Sequence, residues 1–325
     1  MGPKVKCDLC PKGCVIAPGE SGECRIRVNI DGVLTAVTYG HPVTVHIDPI
    51  EKKPFFHYHP GSPILSFATV GCNLHCKGCQ NWEISQANPE ETDAYYAPPD
   101  RLVYITRKKG IRFIAATYSE PLVFYEYTYD TAVEANKYGI KTTIVTAGYA
   151  NPEPLRRLYK VVDAATVDIK AFDEQFYKDV CDGGLAPVLN GLVIAKEEGA
   201  WLEISNLVVP GMNDSDRHFK DLAGWIASNL GPDTPLHFLR FFPRYRMRNI
   251  PPTPVETLER ARKISQDKGL HYVYIGNVPG HEAENTYCPS CHRVVIRRVG
   301  YHLIENHVKG GRCEFCGHPI AGRFD

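Results

Sequence analysis

Between residues 64 and 276 the chain alternates short apolar runs with stretches of helical period. Residues 64–70, 111–117, 140–146, 165–169, 201–209, 236–242 and 270–275 read as strands. Several are nearly continuous in apolar or β-branched residues, the pattern of parallel strands buried on both faces. The intervening helices are punctuated. Thr253-Pro254-Val255-Glu256 offers an N-cap, a Pro at the first helical position and a capping-box Glu. Val255, Leu258, Ala261 and Ile264 then form one apolar stripe, which Gly269 ends. Asn151-Pro152 opens a second helix with Leu155, Leu158 and Val162 on one face, and residues 214–231 hold a third.

Six or seven βα units at this spacing predict an α/β fold, a partial (β/α)6-type barrel with its chemistry at the C-terminal ends of the strands. A doubly wound open sheet is the rival topology. Residues 1–63 are expected to be a Cys-rich N-terminal segment, 64–280 the barrel and 281–325 a small metal-stapled tail, since segments this short rarely build a sufficient core alone.

Charge changes the picture little. Lys and Arg together number 37 against 37 Asp and Glu, which argues against a protein that coats nucleic acid or an anionic membrane. The apolar runs are too short to span a bilayer. Met1-Gly2-Pro3-Lys4 leads to Cys7 without an apolar signal core, so a cytoplasmic location is expected.

The cysteines carry the chemical information. Of 12, all but Cys181 fall into the sets 7/10/14/24, 72/76/79 and 288/291/313/316. Tight C-x-x-C pairs without a signal peptide point to metal ligation rather than disulfides. Cys72, Cys76 and Cys79 directly follow the first barrel strand. Three thiolates leave one iron of a 4Fe–4S cluster open for reaction, whereas structural zinc is closed by four ligands. Zinc with His75 as the fourth ligand is the competing reading. Cys288, Cys291, Cys313 and Cys316 have zinc-ribbon spacing, with a rubredoxin-like iron site as the alternative. Cys7, Cys10, Cys14 and Cys24 suit zinc or an auxiliary 4Fe–4S cluster; ligand type does not choose, and zinc is the first expectation.

C-x3-C-x2-C after a first barrel strand resembles the signature of radical S-adenosylmethionine (radical SAM) enzymes. Thr117-Tyr118-Ser119-Glu120-Pro121 is similar to that family's Gly-Gly-Glu-Pro loop, with Tyr118 and Ser119 in place of both glycines. Asp168-Ile169-Lys170 resembles the Asp-x-Lys of glycyl-radical (pyruvate formate-lyase) activating enzymes. With Cys7-Asp8-Leu9-Cys10-Pro11 and the terminal knuckles, the whole chain is similar to the radical SAM member of the AmmeMemoRadiSam system.

The resemblance implies an oxidoreductase or activating-enzyme-like protein. Its cofactors would be a 4Fe–4S cluster, S-adenosylmethionine and zinc. Its partners would be a flavodoxin- or ferredoxin-like electron donor and a Memo-like protein. Glu120 would hold the amino group of S-adenosylmethionine, Lys170 its carboxylate, and Asp168 a ribose hydroxyl, a cation or substrate. Asn206, Arg240 and Tyr245 are weaker candidates for the same ligand or for substrate. Activation of a glycyl-radical enzyme is the second functional expectation. A non-catalytic zinc-ribbon module for interaction or nucleic-acid binding is the alternative of another class.

Overall fold

A computed structural model of the chain describes residues 2–324. Its centre is one eight-stranded sheet in sequential order, with strands β1 (Thr44–Pro49), β2 (Pro63–Ala68), β3 (Phe113–Ala116), β4 (Lys141–Thr146), β5 (Ala164–Asp168), β6 (Trp201–Val208), β7 (Leu236–Arg240) and β8 (Val273–Gly276). Strands β2 to β8 run parallel, each beside its successor, and β1 pairs antiparallel with β2. The order never reverses, so the sheet has no doubly wound switch point and is the partial barrel. All seven expected strands are present. Strand β1 is an addition from the N-terminal segment: at the sheet edge it has exposed His46 and Ile47 side by side and only Asp48 buried, without the record of a doubly buried run.

Helices α1 (Pro99–Lys108), α2 (Tyr125–Asn136), α3 (Pro152–Tyr159), α4 (Leu185–Glu197), α5 (Asp216–Asn229) and α6 (Val255–Asp267) connect the parallel strands. The expected N-cap of α6 needs correction. Thr253 is fully buried and spends its hydroxyl elsewhere, donating to the Val208 carbonyl at 2.6 Å and accepting from the Phe241 amide at 2.9 Å. Pro254 occupies the cap position without a side-chain bond, and Thr253 instead ties the tops of β6 and β7 together.

The base of the barrel is plugged by residues 50–61, and the C-terminal tail docks onto that plug. Phe56, Tyr272 and Tyr274 share one apolar cluster with Cys288, Val295, Ile296, Cys313 and Ile320. Buried Arg298 donates to the Phe56 carbonyl at 2.6 Å and to the Thr286 hydroxyl at 2.9 Å. A donor chain runs from Arg298 through Thr286 and Tyr274 to His57 Nε2, and His57 Nδ1 donates to the Ala321 carbonyl at 2.6 Å. This order fixes the neutral tautomer of His57.

Burial pushes His57 and, elsewhere, His218 down to about 4. Burial would raise the carboxyl of Glu203, but the His237 hydrogen bond, the nearby His237 and His57 imidazoles and the Phe56 amide together outweigh it and hold the group below its ordinary value. In each case the unfolded chain takes up a proton that the fold refuses, so stability falls as pH drops. For the histidines the loss spans about pH 6.5 to 4, and for Glu203 it begins near the ordinary carboxylate range. His57 alone should contribute roughly 3 kcal/mol of that loss. Denaturant unfolding of wild type and His57→Gln between pH 7 and 4 is the check; the variant should lose less. An unchanged pH slope would show that His57 does not titrate as described.

Candidate active site

The loop after β2 is shaped by close packing. Gly71 has φ +95°, and a Cβ there would lie 2.5 Å from the Cys24 carbonyl oxygen, so the position requires glycine. Beyond it, the amides of His75 and Lys77 donate at 2.9 Å to the carbonyls of Cys181 and Val180. These lie on a single π-helical turn, Tyr177–Cys181, a geometry frequent at functional sites.

Cys72, Cys76 and Cys79 are half-buried and line one cavity of about 380 Å³ that enters the barrel. Glu120, Asp168 and Lys170 line the same cavity, at or just beyond the C-terminal ends of β3 and β5. The three cysteines and these three polar residues are therefore brought together. The His75 imidazole is absent from the cavity lining: Nδ1 donates to Gln86 Oε1 at 2.8 Å, while Nε2 lies 3.4 Å from Glu23 and 3.8 Å from Asp182. The chemistry of the donor set thus favours three thiolates over a Cys3His zinc site.

Glu120 is fully buried and preorganised. Its carboxylate accepts from the Leu122 amide at 3.0 Å, the Thr146 hydroxyl at 2.5 Å and the Ala147 amide at 2.8 Å. Burial pushes this carboxyl above its ordinary value against those bonds. Lys170 donates to Asp168 at 2.7 Å, and the other Asp168 oxygen accepts from Ser205. Burial disfavours the Lys170 ammonium, but Asp168 and the nearby Cys76 more than offset it, so the side chain stays cationic.

The first of the two missing loop glycines has a structural answer. Tyr118 adopts φ +65°, the left-handed region that glycine enters freely. Its hydroxyl donates to Asp48, and Lys53 Nζ sits 4.0 Å from the ring centroid. These contacts offset a backbone cost of about 1–3 kcal/mol. Lys53, which donates to Asp48 at 2.8 Å, also lines the cavity; burial pushes it down to about 8. It escaped sequence reasoning because it precedes the barrel strands.

Asn206, Arg240 and Tyr245 do not line this cavity. Buried Asn206 donates to the Ile169 carbonyl at 2.8 Å, and Arg240 Nε to the Thr253 carbonyl at 2.8 Å. Tyr245 stacks on Trp82 at 5.0 Å and borders a separate groove. Cys181, by contrast, does line the cavity.

The other cysteine sets have different geometries. In the tail, Cys288 and Cys316 thiols lie 3.6 Å apart, Cys291 and Cys313 thiols 3.8 Å, and all four sulfurs lie within 4.8 Å of one another. A tetrahedral metal at about 2.3 Å from each sulfur has edges of about 3.8 Å, so the set fits one ion closed by four thiolates. Cys7, Cys10, Cys14 and Cys24 line one small pocket together with Arg27 and Asn73.

Fold and site define a cysteine-rich α/β barrel of the cofactor-binding kind, and the comparisons with known proteins agree. The family model described as "Radical SAM superfamily" matches residues 67–223. An uncharacterized protein of Methanocaldococcus jannaschii is 46% identical over 319 residues, covering 98% of this chain and 95% of that protein. The benzylsuccinate synthase activating enzyme of Thauera aromatica is 25% identical over 175 residues, 50% of this chain and 53% of the enzyme. The crystal structure of Streptococcus suis SuiB bound to precursor peptide SuiA superposes with a TM-score of 0.53 at 14% identity, covering 70% of this chain and 51% of that one. Residues 67–223 belong to the radical SAM superfamily, and about half of the chain is similar to glycyl-radical activating enzymes.

Because Cys288 and Cys313 sit in the apolar cluster that seals the barrel base, the tail is not a detachable appendage. Cys288→Ala or Cys313→Ala should release the tail's metal, worth on the order of 10 kcal/mol in such knuckles, and render residues 281–324 protease-sensitive. The melting temperature of the whole protein should fall with it. Metal analysis beside limited proteolysis is the measurement; unchanged metal and a resistant tail would mean these thiols are not ligands.

Proposed function

We propose that this protein cleaves S-adenosylmethionine reductively and directs the resulting radical onto a protein or small-molecule substrate in the barrel. The observation that carries this reading is the shared cavity: three half-buried thiols on a strand-end loop face a buried, three-times hydrogen-bonded carboxylate and a cation. Cys72, Cys76 and Cys79 would hold a 4Fe–4S cluster. When bound, cluster and S-adenosylmethionine together supply one-electron cleavage of the sulfonium–C5′ bond, yielding a 5′-deoxyadenosyl radical.

The chain's own part is placement. Glu120 Oε2 accepts one hydrogen bond from the protein and has capacity for another, from the ligand's amino group. Lys170 pairs with the ligand's carboxylate. Asp168, held by Ser205, aims Lys170 and stays available to a hydroxyl. The tail's four thiolates suit structural zinc, because they leave no open position.

Activation of a glycyl-radical enzyme is the second reading. The Asp168–Lys170 pair and the likeness to activating enzymes favour it. A flavodoxin- or ferredoxin-like protein would then donate the electron, in the cytoplasm. Among the described residues no helix is long and apolar enough to cross a membrane. The AmmeMemoRadiSam type, and with it a Memo-like partner, rests on the opening cysteine motif and the terminal knuckles. A non-catalytic zinc-ribbon module does not explain why an open thiol triad shares a cavity with Glu120 and Lys170.

Anaerobic incubation of reduced protein with S-adenosylmethionine tests the reading by the appearance of 5′-deoxyadenosine and methionine. Ala at Cys72, Cys76 or Cys79 should abolish 5′-deoxyadenosine and remove the central iron while the circular-dichroism spectrum persists. Retained turnover in any of the three would sink the assignment.

Glu120→Gln and Lys170→Ala address ligand placement separately. Each should weaken S-adenosylmethionine binding about ten- to a hundredfold, the worth of a charge-assisted hydrogen bond, without loss of cluster iron. Calorimetric titration that finds both variants binding like wild type would remove these residues from the site.

A further inference from the structure

The N-terminal cysteines and the catalytic loop are in direct contact. Cys24 presents its carbonyl to Gly71, the residue before Cys72, so closely that no Cβ fits between them. Asn73, the residue after Cys72, lines the pocket formed by Cys7, Cys10, Cys14 and Cys24. Asn73 is fully buried; its amide nitrogen donates to the Tyr149 carbonyl at 2.7 Å, and its Oδ1 has no hydrogen-bond partner. One chain neighbour of Cys72, Asn73, thus forms part of the wall of the N-terminal site, and the other, Gly71, packs against the backbone of its cysteine Cys24.

The spread of the N-terminal thiols also differs from that in the tail. Among the described residues, the groups of ligand atoms lying within 4.8 Å of one another are the four tail cysteines and Glu23, His75 and Asp182. Neither the set Cys7, Cys10, Cys14 and Cys24 nor the set Cys72, Cys76 and Cys79 forms such a group. A single tetrahedral ion needs sulfurs about 3.8 Å apart, whereas a cubane seats its thiolates farther apart on separate irons. The surroundings suit an anionic cluster: Arg27 lines the pocket with its guanidinium almost fully buried and bridged to Glu126 at 3.0 Å. Cys14 is half-buried beside exposed Pro11 and Val15, which places one edge of the site just beneath the surface.

From this we infer that Cys7, Cys10, Cys14 and Cys24 hold a second 4Fe–4S cluster that relays electrons to the cluster on Cys72, Cys76 and Cys79. The inference rests on the proposed radical SAM reading for its destination, but the site itself is independent of it. The donor is a reduced flavodoxin- or ferredoxin-class protein. It loses one electron to the N-terminal cluster, which passes the same electron to the central one; no bond forms or breaks and no proton moves. Gly71, Cys72 and Asn73 provide the short covalent and packed path between the two.

The whole chain, purified anaerobically, should contain about eight irons and one zinc. With Cys72, Cys76 and Cys79 all changed to Ala, about four irons should remain, with the electron paramagnetic resonance signal of a reduced cubane after dithionite. That arm holds whether or not the protein cleaves S-adenosylmethionine, so it separates this inference from the functional reading. Wild type with about four irons and two zincs, or an iron-free triple variant, would overturn the second cluster.

Cys14→Ser tests the relay. In stopped-flow mixing with reduced flavodoxin, the variant should lose most of the rate at which its central cluster is reduced, while dithionite still reduces that cluster fully. An unchanged rate with the protein donor would overturn the relay. Should the variant fail to fold, the iron counts of wild type and the triple variant still decide the cluster, and freeze-quench spectra of wild type decide the order. The N-terminal signal must appear before the central one, and the reverse order overturns the relay.

Discussion

The fully buried carboxylate of Glu203 organises the base of this molecule. It lies on β6 inside the barrel and accepts from the backbone amides of Phe56 at 2.9 Å and His57 at 2.8 Å, from Trp201 Nε1 at 3.2 Å and from His237 Nε2 at 2.8 Å. An unpaired charge there would cost several kcal/mol, so the chain before β2 is drawn under the barrel to supply donors. The Thr166 hydroxyl adds a bond to the Lys53 carbonyl at 2.8 Å. Once seated, this plug contributes Lys53, Pro54 and Phe56 to the cavity wall and offers the Phe56 carbonyl to Arg298. Cavity and tail docking therefore depend on the same buried anion.

The parallel strands were legible because burial on both faces leaves a nearly unbroken apolar record in residues such as Ile114, Ile144, Val167 and Ile204. Strand β1 was not, since an edge strand with His46, Asp48 and Pro49 follows no such rule. Among candidate site residues, the cysteine spacing and the strand-end positions of Glu120, Asp168 and Lys170 led to one cavity. Asn206 and Arg240 resembled them in sequence but lie outside the cavity lining, where the Asn206 amide nitrogen donates to the Ile169 carbonyl and Arg240 Nε to the Thr253 carbonyl. Local pattern does not distinguish a polar group that braces a loop from one that faces a ligand. Lys53 was invisible for the opposite reason, because its place depends on a contact between distant segments, the Thr166 hydroxyl bonded to its carbonyl.

Tyr118 shows how a departure from a family pattern can preserve its geometry. A left-handed backbone normally selects glycine, yet here the tyrosine side chain gains Asp48 as an acceptor and Lys53 as a cation over its ring. Two glycines would lose both contacts and leave Asp48 to Lys52 and Lys53 alone. The substitution links the loop carrying Glu120 to the plug, so the proposed ligand-binding loop and the barrel base are mechanically joined.

The same logic explains why a tail with a four-thiol site belongs to a barrel that already has a large core. The tail has too few large apolar residues to fold alone, so its four thiolates must be tied before Val295 and Ile296 can form a surface to dock. What the docked tail contributes is reach. Its hairpin turn places Gly300 and Tyr301 in the lining of the central cavity. The Gly300 amide donates to Glu284 at 3.0 Å, and Glu284 also accepts from the Gly280 amide at 2.9 Å, just beyond β8. A metal on the four tail thiols would thus hold part of the wall of the site from a distance. A barrel open between β1 and β8 gains a side wall whose shape is set by tetrahedral thiolate geometry rather than by the barrel strands.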